Sequence, residues 1–135
     1  MQIYNREVKH ITSLLFLLNA AHAFIRGVPV YATAFLVLAI TSVIFHTSNK
    51  TVDIFYIDQA AIFLVFLVGL YYVFRIRREF QLLAVLSILT VIIMYYGGYL
   101  TDSLCFDASY DTATLNHCGL HIIGSLGHHC IMAGL

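Results

Sequence analysis

Charge is the scarcest commodity in this chain. Only 10% of its 135 residues are Asp, Glu, Lys or Arg, against about 25% in a soluble domain, which excludes an ordinary water-soluble globule. Seven basic residues balance seven acidic ones, so the basic footprint of a nucleic-acid-binding protein is missing. Cysteine is limited to Cys105, Cys118 and Cys130. These are too few and too scattered for a disulfide framework, and their odd number leaves at least one thiol without an internal partner. Internal repeats, low-complexity tracts and linkers are also missing, so residues 1–135 read as a single domain.

What the chain does have is apolar length. Hydrophobic residues make up 61% of it, in runs that approach the ~20 residues needed to cross a hydrocarbon core. Periodicity and run length predict an all-α, multi-pass transmembrane bundle of about five spans. These cover Ile11 to Val28, Pro29 to His46, Ile54 to Phe74, Phe80 to Leu100 and Leu115 to Leu135. Pro29 suits the first turn of a helix. The first span is interrupted by Asn19, His22 and Arg26, and has a rival reading. Leu14 to Leu18 followed by Ala21-His22-Ala23 also resembles the core and cleavage site of a signal peptide, flanked by Arg6 and Lys9. Five spans put Arg26, Arg75, Arg77 and Arg78 on one face and Arg6, Lys9 and Lys50 on the other. The positive-inside tendency then turns the amino terminus away from the cytoplasm.

Histidine is where chemistry enters. Burying an imidazole in a bilayer is costly, so several at one depth call for a shared partner. His46 closes the second span, Asp58 lies early in the third, and His117 and His121 open the fifth. All four fall near the amino-terminal face. Residues four apart share a helix face, so His117 and His121 can bite one ion. His46 supplies a third imidazole, with Ser42 one turn deeper on the same face. Three histidines make a zinc site with its fourth position open to water, which zinc activates near neutral pH. Asp58 would hold that water and shuttle its proton, and Ser42 would donate to the oxyanion formed on a carbonyl. Each residue alone has a blander reading. A lone His-x-x-x-His is weak, Ser42 would back-bond to its own helix, and Asp58 would favour a helix start.

The remaining polar residues divide by depth. His128 and His129 lie too deep to join the ion and read as packing or substrate-channel residues. Asn19 and His22 read as interhelical hydrogen-bonding residues. Tyr95, Tyr96 and Tyr99 form an interfacial belt from which one ring could reach the site, and His10 is expected at the headgroups. Cys118 points about 100° away from His117, Cys130 is a small packer, and Cys105 could pair with another cysteine in an oxidising lumen.

The pattern of Ser42-x-x-x-His46, Asp58, and His117-x-x-x-His121 resembles the CREST superfamily of membrane zinc hydrolases. That group includes alkaline ceramidases, progestin and adiponectin receptors, haemolysin-III-like proteins and GPI-anchor remodelling factors. Asp102-Ser103-Leu104-Cys105, followed by His117, His121 and Gly124-Ser125-Leu126-Gly127, is most similar to the alkaline ceramidases. Tyr56-Ile57-Asp58-Gln59-Ala60-Ala61-Ile62-Phe63 has a haemolysin-III flavour. The resemblance implies Zn2+ on His46, His117 and His121, Asp58 as general acid/base, Ser42 as oxyanion donor, and a ceramide-like lipid amide as substrate. It also implies a seven-span fold that this chain shortens to five, with a second copy in a homodimer as one source of the missing helices. Leu120 stands where the family has an aromatic residue, and the acidic calcium-binding segment of eukaryotic alkaline ceramidases is not visible in Met1 to His10. Three functions remain open on this reading. The chain is an amide or ester hydrolase, a receptor-like or pore-forming protein with a structural zinc, or a metal-free bundle with satisfied histidines.

Overall fold

The computed structural model describes residues 9–49 and 51–135. Arg6 and Lys50, two of the charges used to orient the chain, lie outside the described residues. Among the described residues the architecture is all-α. Its helices are α1 (Leu15–Ile25), α2 (Pro29–Thr47), α3 (Val52–Val73), α4 (Arg78–Ile92) and α5 (Tyr110–Gly134). A helical segment at residues 9–13 precedes α1. α4 continues through a π-helical turn, Ile93–Gly97, and one further helical turn, Gly98–Thr101. A 3-10 turn, Leu104–Phe106, leads on toward α5.

Helix ends follow local chemistry. Pro29 opens α2, where its missing N–H costs nothing. Thr51 caps α3 by accepting from Ile54 N, and Ser109 caps α5 by accepting from Thr112 N. That second cap starts α5 five residues before the predicted Leu115, because the polar first turn Tyr110-Asp111-Thr112-Ala113-Thr114 is helical. His117 and His121 therefore lie further from the helix start than expected. Gly27 takes a positive φ of 73° and lets the chain reverse between α1 and α2. At the far end, the Arg77 backbone N–H donates to the Gly134 carbonyl, so the α3–α4 loop closes the carboxyl end of α5.

The helices form an open ring. α1 packs on α2, α2 on α3, α4 on α5, and α5 on α1, whereas α3 and α4 barely touch although they follow each other in sequence. Tyr31, Phe35 and Leu38 of α2 fill the core together with Phe16, Ala20 and Ala23 of α1, Ala61 and Val65 of α3, and Ile131 and Met132 of α5. Outside, the surface is apolar: Leu100, Ile25, Leu115, Phe24 and Phe74 are among many exposed large hydrophobic side chains. α2, α3 and the whole of Arg78–Thr101 are long and apolar enough to cross a membrane. α1 is 11 residues long. α5 has the length but spends much of its composition on histidine, serine and glycine.

Glycine sets the closeness of α4 to α5. A Cβ at Gly127 would stand 2.6 Å from Ser87 Cβ, a rigid neighbour that cannot rotate away. Gly127→Ala is therefore expected to force the helices apart and cost about 1–3 kcal/mol. It should show as a lower melting temperature in detergent, partly recovered by adding Ser87→Gly. An unchanged melting temperature would refute so close an approach.

Candidate metal centre

α2 and α5 share no direct backbone packing and are held near each other by α1 and α3. Across that space three imidazoles converge. His46 comes from the last turn of α2, and His117 and His121 come from adjacent turns of α5. Their ligand atoms all lie within 4.8 Å of one another. Ring centroids are 4.9 Å apart for His46–His117, 4.7 Å for His117–His121 and 5.6 Å for His46–His121. The rings stand at steep angles, 85°, 75° and 59° in the same order, like blades around a hub. Imidazole nitrogens on a tetrahedral ion at about 2.0–2.1 Å sit roughly 3.3 Å apart. The gap between these figures is within the reach of side-chain torsions, so the group fits a metal ion. His46 and His121 are buried and His117 is half-buried.

A hydroxyl behind His121 orients that ring, and the sequence pattern did not single it out. Thr12 Oγ1 lies 2.9 Å from His121 Nδ1. The same hydroxyl donates to the Lys9 carbonyl at 2.9 Å, so its hydrogen is committed and it accepts from His121 Nδ1–H. That fixes the tautomer and leaves Nε2 with its lone pair for an ion. Next to it, Ser13 Oγ also donates to the Lys9 carbonyl, at 3.0 Å, and meets Ser42 Oγ at 2.8 Å. Ser42 is therefore the donor in that pair. Two side chains back-bonding to one carbonyl bend a helix, and the ladder breaks here at Leu14. The signal was present as spacing. Thr12, Phe16, Asn19 and Ala23 recur at helical intervals, and Phe16 stacks edge-on against His121 at 5.3 Å.

Asp58 is 4% exposed and its Oδ1 accepts from Thr41 Oγ1 at 3.0 Å. Thr41, one residue before Ser42, is another partner that the sequence pattern did not single out. Ser42 is 2% exposed. Asp58 and Ser42 are thus buried polar groups on α3 and α2, each with a hydroxyl partner.

Asn19, His22, Ser125 and His129 form a polar seam between α1 and α5. Asn19 Nδ2 donates to the Ser125 carbonyl at 3.0 Å, and Ser125 Oγ donates to Asn19 Oδ1 at 2.7 Å. His22 and His129 share a hydrogen bond of 2.8 Å between their Nδ1 atoms, and His128 bonds the Tyr31 hydroxyl. The expectation that Asn19 and His22 bond across helices therefore holds, with α5 as the partner helix. His128 and His129 are tied up away from the three-histidine group. His10 departs from expectation, being half-buried. Tyr96 and Tyr99 are exposed as a belt would be, while Tyr95 turns inward. Cys105, Cys118 and Cys130 are all free thiols. Burial pushes the Cys105 thiol above its usual range, which disfavours the thiolate that oxidation or metal binding would need.

Thr12→Val keeps shape and removes the acceptor for His121. It is expected to weaken metal affinity by about 10–100-fold, measured by chelator competition, with Thr12→Ser restoring most of it. Equal affinity in Thr12→Val would exclude the orienting role.

Comparison with protein-family models, with curated proteins and with solved structures finds no match in any of the three.

Proposed function

We propose that this chain is an integral membrane protein of five spans whose three-histidine group holds zinc and hydrolyses a lipid amide. The observation that carries the reading is the convergence of His46, His117 and His121 within 4.8 Å from two helices far apart in sequence. The apolar exterior supports placement in a bilayer, since lipid is the solvent such a surface suits. α1 and α5 join the three more apolar helices as spans because their polar groups face each other along the seam rather than lipid. On this reading the first helix belongs to the working fold. Cleavage after Ala23 would remove Thr12, Ser13, Asn19 and His22, the partners of His121, Ser42, Ser125 and His129.

Zinc in such a site supplies a Lewis acid and a water that ionises near neutral pH. The chain's own groups supply the rest. Asp58, held by Thr41, takes a proton from the attacking water and returns it to the leaving amine nitrogen. Ser42 serves the oxyanion once its hydrogen turns away from Ser13. An amide is favoured over an ester on the resemblance of Asp102–Cys105, His117, His121 and Gly124–Gly127 to alkaline ceramidases; the same machinery would open either carbonyl.

The test is elemental analysis of detergent-purified protein beside an assay for fatty acid released from N-acyl lipids. About one zinc per chain and release abolished by chelation and restored by zinc are expected. Zinc without turnover on amide or ester lipids would leave a structural-zinc protein. No zinc in folded protein would remove the metallohydrolase reading.

A further inference from the structure

The end of the bundle away from the three histidines carries a charge imbalance. Arg75, Arg77 and Arg78 crowd the short α3–α4 turn, and all three are exposed. Arg26 joins them from the end of α1. The parallel pairs Asn19–Ser125 and His22–His129 set Arg26 level with Ala133 when their register is continued by one turn. Arg77 Nη2 donates to the Ala133 carbonyl at 3.4 Å, so the turn lies at the same level. Against these four guanidiniums stands one acidic side chain, Glu79, 3.7 Å from Arg77. Arg26, Arg75 and Arg78 have no carboxylate partner among the described residues.

The way two of these cations are held makes the imbalance informative. Arginines at the ends of membrane helices ordinarily reach outward to water. Arg75 does the reverse. Its guanidinium lies 3.7 Å from the ring centroid of Tyr71 and donates to the Tyr71 carbonyl. It is thus folded back by one turn along α3, onto a ring that is 55% exposed. Arg77 leans inward in the same way, its guanidinium 4.8 Å from the Phe80 ring centroid in the first turn of α4. Exposed aromatic rings at span ends lie at the headgroup level of a bilayer. Guanidiniums folded onto them come to the depth of the lipid phosphates, whose oxygens suit their planar fork. A zwitterionic headgroup brings its own ammonium there and leaves the positive excess uncancelled. A headgroup of net negative charge cancels it.

We propose that the α3–α4 turn, with Arg26 at its level, is a binding surface for anionic phospholipids. Their phosphates pair with Arg75 and Arg78, and their chains lie along the apolar faces of α3 and α4. This rests on the membrane placement of the bundle and is independent of the hydrolase reading. The same turn closes the carboxyl end of α5 through the Arg77 N–H and the Gly134 carbonyl, so a bound lipid also steadies the helix that carries His117 and His121. Orientation alone would gather arginines on one face, but it acts during insertion and leaves no lipid preference in the finished protein.

The test uses protein reconstituted in nanodiscs of equal phosphatidylglycerol and phosphatidylcholine, with the lipids it retains on release counted by native mass spectrometry. Wild type is expected to retain phosphatidylglycerol in roughly twentyfold excess, shrinking at high salt. Arg75→Gln/Arg78→Gln is expected to bring the two lipids close to parity, about fivefold for each arginine withdrawn. Glu79→Gln removes the opposing carboxylate and should raise the excess severalfold, a gain that a damaged fold would not produce. Equal retention of both lipids by wild type would overturn the proposal and leave the arginines to orient the chain or to meet an acidic partner protein. An excess unchanged in the double variant would overturn it too. Protein that stays in solution and out of nanodiscs would sink the membrane reading and the proposal together.

Discussion

On the proposed metallohydrolase reading, His117→Ala is expected to release the metal and, with it, nearly all hydrolysis. Of the three imidazoles His117 is the least buried, so its removal leaves no sealed cavity and the fold should survive. That makes it a cleaner probe than His121, whose ring also packs on Phe16 and bonds Thr12. Zinc content should fall from about one per chain to near none, because two imidazoles and water make a far weaker site than three. Turnover should fall roughly a thousandfold or more, since the ion contributes several kcal/mol of transition-state stabilisation. The decisive comparison is the double variant His46→Ala/His117→Ala. Ligands of one ion act as a unit, so the second substitution should add almost nothing to the first. Additive losses in stability with zinc unaffected would instead describe two independent core histidines.

Why the three converging histidines could be picked out in the sequence and the hydroxyls around them could not is a matter of reach. His117 and His121 are four apart on one helix, a relation that the 3.6-residue turn exposes directly. His46 joined them because hydrophobic runs fix which helix ends share a face. Thr12, Ser13 and Thr41 act across helices, and no spacing within one segment shows that a hydroxyl will meet a ring 109 residues away. Helix boundaries followed the same division. α2 and α3 lie within two residues of their apolar runs; Pro29 marks the start of α2, and the Thr51 cap sets α3 two residues ahead of Ile54. α5 begins early because a Ser109 cap outweighs the polar composition of its first turn. The π-helical turn in α4 has no clear mark in a run as uniformly apolar as Phe80 to Leu100, so which of the three belt tyrosines turns inward is not legible there.

The polar seam explains why the least apolar helices can be the most informative. α5 places His117, His121, Ser125 and His129 at intervals of four, a stripe along one face. The helical segment 9–13 answers with Thr12 at His121, and α1 with Asn19 at Ser125 and His22 at His129. In hydrocarbon each such group would lack a partner at a cost of kcal/mol, so paired stripes fix the register of α1 on α5. The three-histidine group lies at one end of that register. Its geometry is therefore set by hydrogen bonds deeper in the bundle as well as by the three histidines themselves.

Asp58→Asn should separate holding the ion from using it. The side chain is nearly unchanged in shape, and the amide Oδ1 can still accept from Thr41, whose hydroxyl now supports Asp58 at 3.0 Å. Zinc content and melting temperature are thus expected to stay within error of wild type. What asparagine cannot do is take a proton from the attacking water and return it to the leaving nitrogen. Loss of a positioned general acid/base lowers turnover by about 10²–10⁴-fold, and the fall should lie in kcat, with KM little changed, because the group acts only as charge develops. Thr41→Val gives the complementary case, removing the bond that aims the carboxylate while sparing its basicity, and should cost less than Asp58→Asn. If Asp58→Asn instead emptied the site of zinc, Asp58 would be a ligand or its support, and proton transfer would have to be assigned to another group.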